Sequence, residues 1–155
     1  IAKALGMVIH YHNRSKLSGE KEQGAIYHDS LKSLFGVSDV LSICCPATKE
    51  TENLINKETL EYFPTGAVIT NVARGDIVDD EALIDALNRR KIYAVGLDVY
   101  KGEPNLNSGY LKIKSAFILP HLGSSTKHTR TAMANLAIDN IDEFFKTGNC
   151  KNKVN

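Results

Sequence analysis

The sequence predicts an α/β fold, a doubly wound parallel sheet with helices over both faces. Short apolar, β-branched and aromatic runs recur along the chain, and stretches of about 10 to 15 residues with helical spacing separate them. That alternation is the pattern of successive right-handed β-α-β crossovers. Size agrees: 155 residues are enough for one domain, in which folding buries roughly 70% of the unfolded chain's surface.

Each element has its own warrant. Ile1–Gly6 reads as the end of a helix closed by a glycine. Met7–Tyr11 and Ala25–His28 read as short strands on either side of a Gly, Lys, Glu and Ser segment. Ser30–Gly36 places Leu31, Leu34 and Phe35 at helical spacing, and Val40–Cys45 is a continuous apolar run stopped by Pro46. Thr48 and Thr51 flank the start of an expected polar helix with Leu54, Ile55 and Leu60 on its apolar side, ended by Phe63, Pro64, Thr65 and Gly66. Ala67–Val72 is the next strand. Asp79 is a suitable N-cap for a helix carrying Ala82, Leu83, Ala86 and Leu87, with Arg89, Arg90 and Lys91 at its negative end. Tyr93–Val99 and Ala116–Leu119 are the last strands. A helix over about Thr126 to Lys146 carries the apolar stripe Met133, Leu136, Ala137, Ile141, Phe144 and Phe145.

Composition narrows the function. Hydrophobic residues are 43%, charged residues 24%, and 19 Lys+Arg against 18 Asp+Glu leave +1. That balance excludes a polybasic nucleic-acid binder and a charged disordered chain. No apolar stretch is long enough to span a membrane, and the first residues lack a secretory pattern. Cys44, Cys45 and Cys150 form neither a disulfide framework nor a metal-ligand spacing, so reduced thiols in a cytoplasmic protein are expected and no metal site is assigned. His10, His12, His28 and His128 also lack metal-ligand spacing and are expected at the surface without a role.

In a parallel α/β sheet, ligands bind where loops leave the carboxyl ends of the strands. Three successive strand ends offer Arg74, Glu103 and His121. An Arg can hold a carboxylate through two parallel hydrogen bonds, a His titrates near neutrality, and a carboxylate can orient the imidazole. Together they suit proton transfer to or from a small carboxylic acid.

The strings NVARGDIVDDEALIDAL (Asn71–Leu87), AVGLDVYKGEP (Ala94–Pro104) and LPHLGSST (Leu119–Thr126) resemble signature segments of the D-isomer-specific 2-hydroxyacid dehydrogenases, most closely the glyoxylate/hydroxypyruvate reductases. The resemblance runs unbroken from Ile1 to Asn155, and Lys153, Val154 and Asn155 are similar to that family's usual ending. It implies a Rossmann-like fold and an NAD(P)-dependent oxidoreductase acting on a small 2-oxo or 2-hydroxy acid. His121 is implied as general acid/base, Glu103 as its partner and Arg74 as the clamp on the substrate carboxylate. Asp98 is similar to the Asp that accepts a hydrogen bond from the nicotinamide carboxamide, although a strand-end Asp also caps turns. Val72 and Ala73 are implied beside the same ring, with Gly123 and Ser124 shaping its pocket. Cys45, Pro46 and Thr51 match the loop under adenine and ribose; Thr51 equally suits a helix cap. A homodimer is also implied.

Cofactor choice rests on the loop after the first strand run. A site selecting NAD usually has an acidic residue there, whereas an Arg accommodates the phosphate of NADP. Tyr11, His12, Asn13, Arg14, Ser15 and Lys16 contain two cations and no carboxylate, so NADP is expected over NAD through Asn13, Arg14 and Ser15, with a solvated basic loop as the alternative. The glycine-rich turn that cradles a pyrophosphate is missing from the sequence. Residues 1–125 are therefore expected to be most of a dinucleotide-binding domain, and 126–155 a helix and tail returning toward a substrate domain. The first strand of such a sheet lies in its middle, so the Met7 and Ala25 strands are expected to separate from the later ones. A longer parent polypeptide is expected, with little activity in this piece alone. Two other classes stay open: a non-catalytic dinucleotide sensor, and a structural or interaction domain.

Overall fold

Six short strands account for all the sheet structure in a computed structural model that describes residues 1–154. Asn155, the last residue of the family-like ending, lies outside the described residues. The chain divides into two compact units, Ile1–Pro120 and His121–Asn155, each described by itself.

The first unit opens with a single 3-10 turn, Lys3–Leu5, closed by Gly6 in the left-handed region at φ 83°. Next come β1 (His10–Tyr11), α1 (Gly19–Glu22) and β2 (Ile26–Tyr27), with β1 and β2 forming a parallel pair of their own. Then follow α2 (Leu31–Phe35), β3 (Val40–Ile43), α3 (Lys57–Leu60), β4 (Ala67–Asn71), α4 (Asp80–Asn88), β5 (Ile92–Leu97) and β6 (Ala116–Ile118). The last four strands make one parallel sheet in the order β3-β4-β5-β6. The break expected between the early and late strands is present: among the described residues no hydrogen-bonded ladder joins β1-β2 to β3-β6.

Three expectations are corrected. The sheet is covered on one face only: Leu41, Ile43, Ala67, Ile69, Ile92, Val95 and Leu97 are buried, while Val40, Tyr93 and Phe117 alternate onto the open side, Tyr93 and Phe117 each 67% exposed. The reason is the winding. Every step from β3 to β6 moves the same way across the sheet, and right-handed crossovers then put all their helices on one face. The polar helix expected to start near Thr48 and Thr51 is a series of turns; its only helical part is α3, whose cap is Asn56, the side-chain oxygen accepting from the N–H groups of Glu58 and Thr59. Finally, His10 and His28 are half-buried rather than surface residues. His10 Nδ1 lies 2.8 Å from His28 Nε2, and His28 Nδ1 lies 2.6 Å from the Ser33 hydroxyl, which ties β1 and β2 to α2.

The core sits between the covered face and the helices. Phe35 of α2 stacks on Phe63 with ring centroids 4.5 Å apart, and Leu83, Ala86 and Leu87 of α4 complete the layer. Asp79 caps α4 as expected, accepting from the Ala82 N–H at 3.2 Å. Beside it the buried Tyr110 hydroxyl donates to Asp80 Oδ1 at 2.8 Å. Burial pushes the Asp80 carboxyl above its ordinary range, and the Tyr110 hydrogen bond opposes that rise.

A raised folded pKa means that the native state holds the Asp80 proton more tightly than the unfolded chain does. The associated stability is present below the ordinary carboxylate pKa and lost as pH rises through the folded value. At neutral pH the Asp80 charge is therefore a cost that Tyr110 limits. Tyr110→Phe is expected to cost about 1–2 kcal/mol at pH 7 and clearly less near pH 4, measured by denaturant unfolding of variant and parent at both pH values.

In the second unit α5 (Lys127–Thr147) starts at Thr126, whose hydroxyl accepts from the Thr129 N–H, and ends at Gly148 with φ 74°. The expected stripe Met133, Leu136, Ala137, Ile141, Phe144 and Phe145 is on this helix, which buries none of its residues.

Candidate functional site

Register partners mark a single line across the large sheet: Ile43, Asn71, Leu97 and Ile118 stand opposite one another in β3, β4, β5 and β6. All four strands run parallel, so every loop leaving this line emerges on the same edge. Beyond it come Cys44, Cys45 and Pro46 after β3, then Val72, Ala73 and Arg74 after β4. Asp98 follows β5 directly, with Glu103 in the ensuing turn.

The loops after β3 and β4 enclose a cleft of about 480 Å³ lined by Cys44, Cys45, Pro46, Ala47, Ala73 and Arg74. Asn71 shapes its β4 side. This fully buried Asn accepts from the Ala73 N–H at 3.0 Å and donates to the Arg74 carbonyl at 2.8 Å, so one amide folds the whole turn. Its own carbonyl accepts from the Asp98 N–H at 3.0 Å, which links the two strand ends. Val72 is 58% exposed and Arg74 is exposed, its Nη1 donating to the Ala73 carbonyl. Asp98 is buried.

Gly75 sets how closely the β4 and β5 loops approach. A Cβ there would lie 2.0 Å from the Tyr100 carbonyl carbon and 2.3 Å from the Lys101 nitrogen, so only a residue without a side chain fits. Across that contact the Tyr100 N–H donates to Glu103 Oε1 at 3.1 Å, and the carboxylate thereby helps close its own turn.

On the β3 side, Thr51 holds Pro46. Its hydroxyl donates to the Pro46 carbonyl at 2.8 Å and accepts from the Thr48 N–H at 2.8 Å, so it closes the CCPATKET loop and caps no helix. Burial pushes the Cys45 thiol up, which makes it a poor nucleophile. Glu50 in this loop titrates below its ordinary value, chiefly through the Thr48 hydroxyl and its own backbone N–H, with a smaller contribution from Arg14.

Arg14 belongs, with Asn13 and Ser15, to the exposed loop after β1, outside the lining of the cleft. His121, Gly123 and Ser124 belong to the second unit. His121 occupies the left-handed region at φ 55°, a conformation uncommon for any residue but glycine, and Thr126 turns the chain into α5 a few residues later. Among the described residues no group of three or more His, Cys, Asp or Glu is placed to hold a metal, and no helix is long and apolar enough to cross a membrane.

Sequence reasoning singled out the loops but missed Asn71 and Gly75, which build them. The signal for Asn71 is a lone amide ending the apolar run AVITN, where a buried polar group must find partners.

Comparison with known proteins agrees with this arrangement. Residues 1–123 match the model of the D-isomer specific 2-hydroxyacid dehydrogenase NAD binding domain. A glycerate dehydrogenase from Hyphomicrobium methylovorum is 41% identical over 146 residues, covering 93% of this chain and 45% of that protein. A solved glyoxylate reductase from Paecilomyes thermophila superposes with TM-score 0.88 at 39% identity, over 99% of this chain and 46% of that one. An NADPH-dependent glyoxylate/hydroxypyruvate reductase from Sinorhizobium meliloti, solved with NADP and malonate, gives TM-score 0.88 at 35% identity over 96% and 46% of the two chains. The chain spans about half the length of these relatives. A parallel sheet with its loops gathered on one edge, the matched domain model and these relatives together establish that the chain belongs to the D-isomer specific 2-hydroxyacid dehydrogenase family.

Proposed function

We propose that this chain supplies most of the dinucleotide-binding domain, residues 1–125, of an enzyme that reduces a small 2-oxo acid of the glyoxylate or hydroxypyruvate type to the D-2-hydroxy acid. Residues 126–155 are its helix and tail returning toward the substrate domain. The observation that carries the proposal is the line of strand ends in the first unit, beyond which Arg74, Asp98 and Glu103 follow in their loops. His121 joins them in the proposal through the resemblance of LPHLGSST to the family's segment.

The donor set fits part of a dinucleotide. The cleft has the size of small-molecule sites, and its wall is mixed, with Cys45, Pro46 and Ala73 offering apolar surface to a base or ribose beside the polar groups of the same loops. Thr51 keeps the Pro46 turn in place beneath adenine and ribose. Val72 and Ala73 would lie against the nicotinamide ring, Asp98 would accept from its carboxamide, and Gly123 and Ser124 would shape the pocket around it. Asn13, Arg14 and Ser15 would take the 2′-phosphate, making NADPH the preferred cofactor over NADH; the structural relative from Sinorhizobium meliloti is NADPH-dependent. The bound nicotinamide supplies hydride to the keto carbon.

The chain's own residues do the rest. Arg74 binds the substrate carboxylate through its planar fork and draws electron density from the carbonyl. His121 donates a proton to the carbonyl oxygen as it gains charge. Glu103 stabilises the imidazolium form of His121 and fixes its orientation. A homodimer belongs to the same proposal, and so does a cytoplasmic location, which suits three free thiols.

The test is steady-state oxidation of NADPH and NADH by the full-length protein with glyoxylate and hydroxypyruvate. Turnover with either acid, faster with NADPH, is the expected result. Saturable dinucleotide binding without turnover of either acid would replace the reductase by a dinucleotide sensor.

A further inference from the structure

The loop that leaves β1 is more tightly built than its exposure implies. His12 Nδ1 donates to the His28 carbonyl at 2.9 Å, and the Tyr27 hydroxyl donates to the Asn13 carbonyl at 3.4 Å. The Asn13 side chain accepts from the Arg14 N–H at 3.1 Å. The far end of the loop is fixed by Tyr11, whose hydroxyl accepts from the Leu17 N–H at 3.0 Å. One phenol at the loop's start thus closes it at its finish, leaving Arg14, Ser15 and Lys16 displayed between.

The same hydroxyl donates to Glu22 Oε1 at 2.5 Å. Glu22 comes from α1 with its side chain only 16% exposed, and Lys16 Nζ stands 3.8 Å from the same oxygen. This acid faces the loop from outside the primary sequence of the loop. A free carboxylate there would repel a phosphate and could receive a ribose hydroxyl, the arrangement that favours NAD. Tyr11 and Lys16 occupy it instead.

We infer that Tyr11 is a positioning residue for cofactor selectivity, which preorganises the Arg14–Ser15 segment for a 2′-phosphate and withholds the Glu22 carboxylate from that position. The inference rests on the NADPH preference proposed above. A loop already held in its binding shape loses little entropy when it binds, and the gain falls on the ligand bearing the phosphate alone.

The experiment is calorimetric titration of the full-length protein and its Tyr11→Phe variant with adenosine 2′,5′-bisphosphate and with adenosine 5′-monophosphate. Phe retains the ring packing against Tyr27, whose centroid is 5.3 Å from that of Tyr11, and removes only the hydroxyl. Binding of the bisphosphate is expected to weaken about tenfold, with the monophosphate changed less than about twofold. In a Tyr11→Phe, Glu22→Gln double variant, removal of the exposed charge is expected to recover part of that loss. Equal weakening of both nucleotides would mean that Tyr11 merely supports the fold, and no change in either would mean that it is idle; both overturn the inference. A parent protein that binds the two nucleotides equally would overturn the NADPH preference itself, a failure visible before any variant is made.

Discussion

His121→Asn in the full-length protein is expected to lower kcat for 2-oxo acid reduction by about 10²- to 10⁴-fold while leaving dinucleotide binding intact. Asn is the informative replacement because of the backbone. His121 sits at φ 55°, where a Cβ-bearing residue costs roughly 1–2 kcal/mol and Asn is among the residues best able to tolerate it. His121→Ala would mix loss of the proton donor with local rearrangement, whereas Asn keeps a polar side chain in the same conformation and cannot give up a proton. Stopped-flow single turnover with saturating NADPH separates the effects, since the hydride step slows and cofactor affinity does not. A variant within about threefold of the parent would remove His121 from the chemistry.

The second large effect is structural. Gly75→Ala is expected to destabilise the protein by about 3 kcal/mol or more, beyond ordinary overpacking, because the new methyl group meets backbone and not the end of a flexible side chain. Relief requires the loops after β4 and β5 to separate, which displaces Arg74 on one side and the Glu103 turn on the other. Activity should therefore fall even under conditions where the variant remains folded. Gly19→Ala is the control: a Cβ there meets nothing within 4 Å, and a change of less than about 1 kcal/mol is expected. Denaturant unfolding of the two variants beside the parent settles the comparison. Equal midpoints for both would show that the Gly75 contact yields without cost.

Local signals made much of this fold legible. Val40–Ile43, Ala67–Asn71 and Ile92–Leu97 are apolar runs long enough to identify strands, and Asp79 marked the start of α4. The ends were less clear: Val72 and Val99 look like strand residues but fall beyond the last ladder pair, since register depends on the neighbouring strand. The turns around Thr48 could not be distinguished from a helix because Thr51 caps and closes loops with the same hydroxyl chemistry. Arg74, Glu103 and His121 could be proposed from sequence because each follows a run that reads as a strand. Asn71, Gly75 and Tyr11 were not, because each acts through partners that only folding supplies: the Asp98 N–H, the Tyr100 backbone and Glu22. Direction of winding was equally hidden, and with it the open face bearing Tyr93 and Phe117.

The shared line of Ile43, Asn71, Leu97 and Ile118 divides labour along the length of every strand. The cleft residues Cys45, Pro46 and Ala73, with Arg74, Asp98 and Glu103, emerge beyond it, while Asp39, Gly66, Lys91 and Ser115 lead into the strands from the opposite edge. That edge is where protein engineers can work. The exposed stretch around Lys112 and Lys114 can accept a dye, a tether or a short grafted peptide, with the length of the strands between it and the ligand-facing loops.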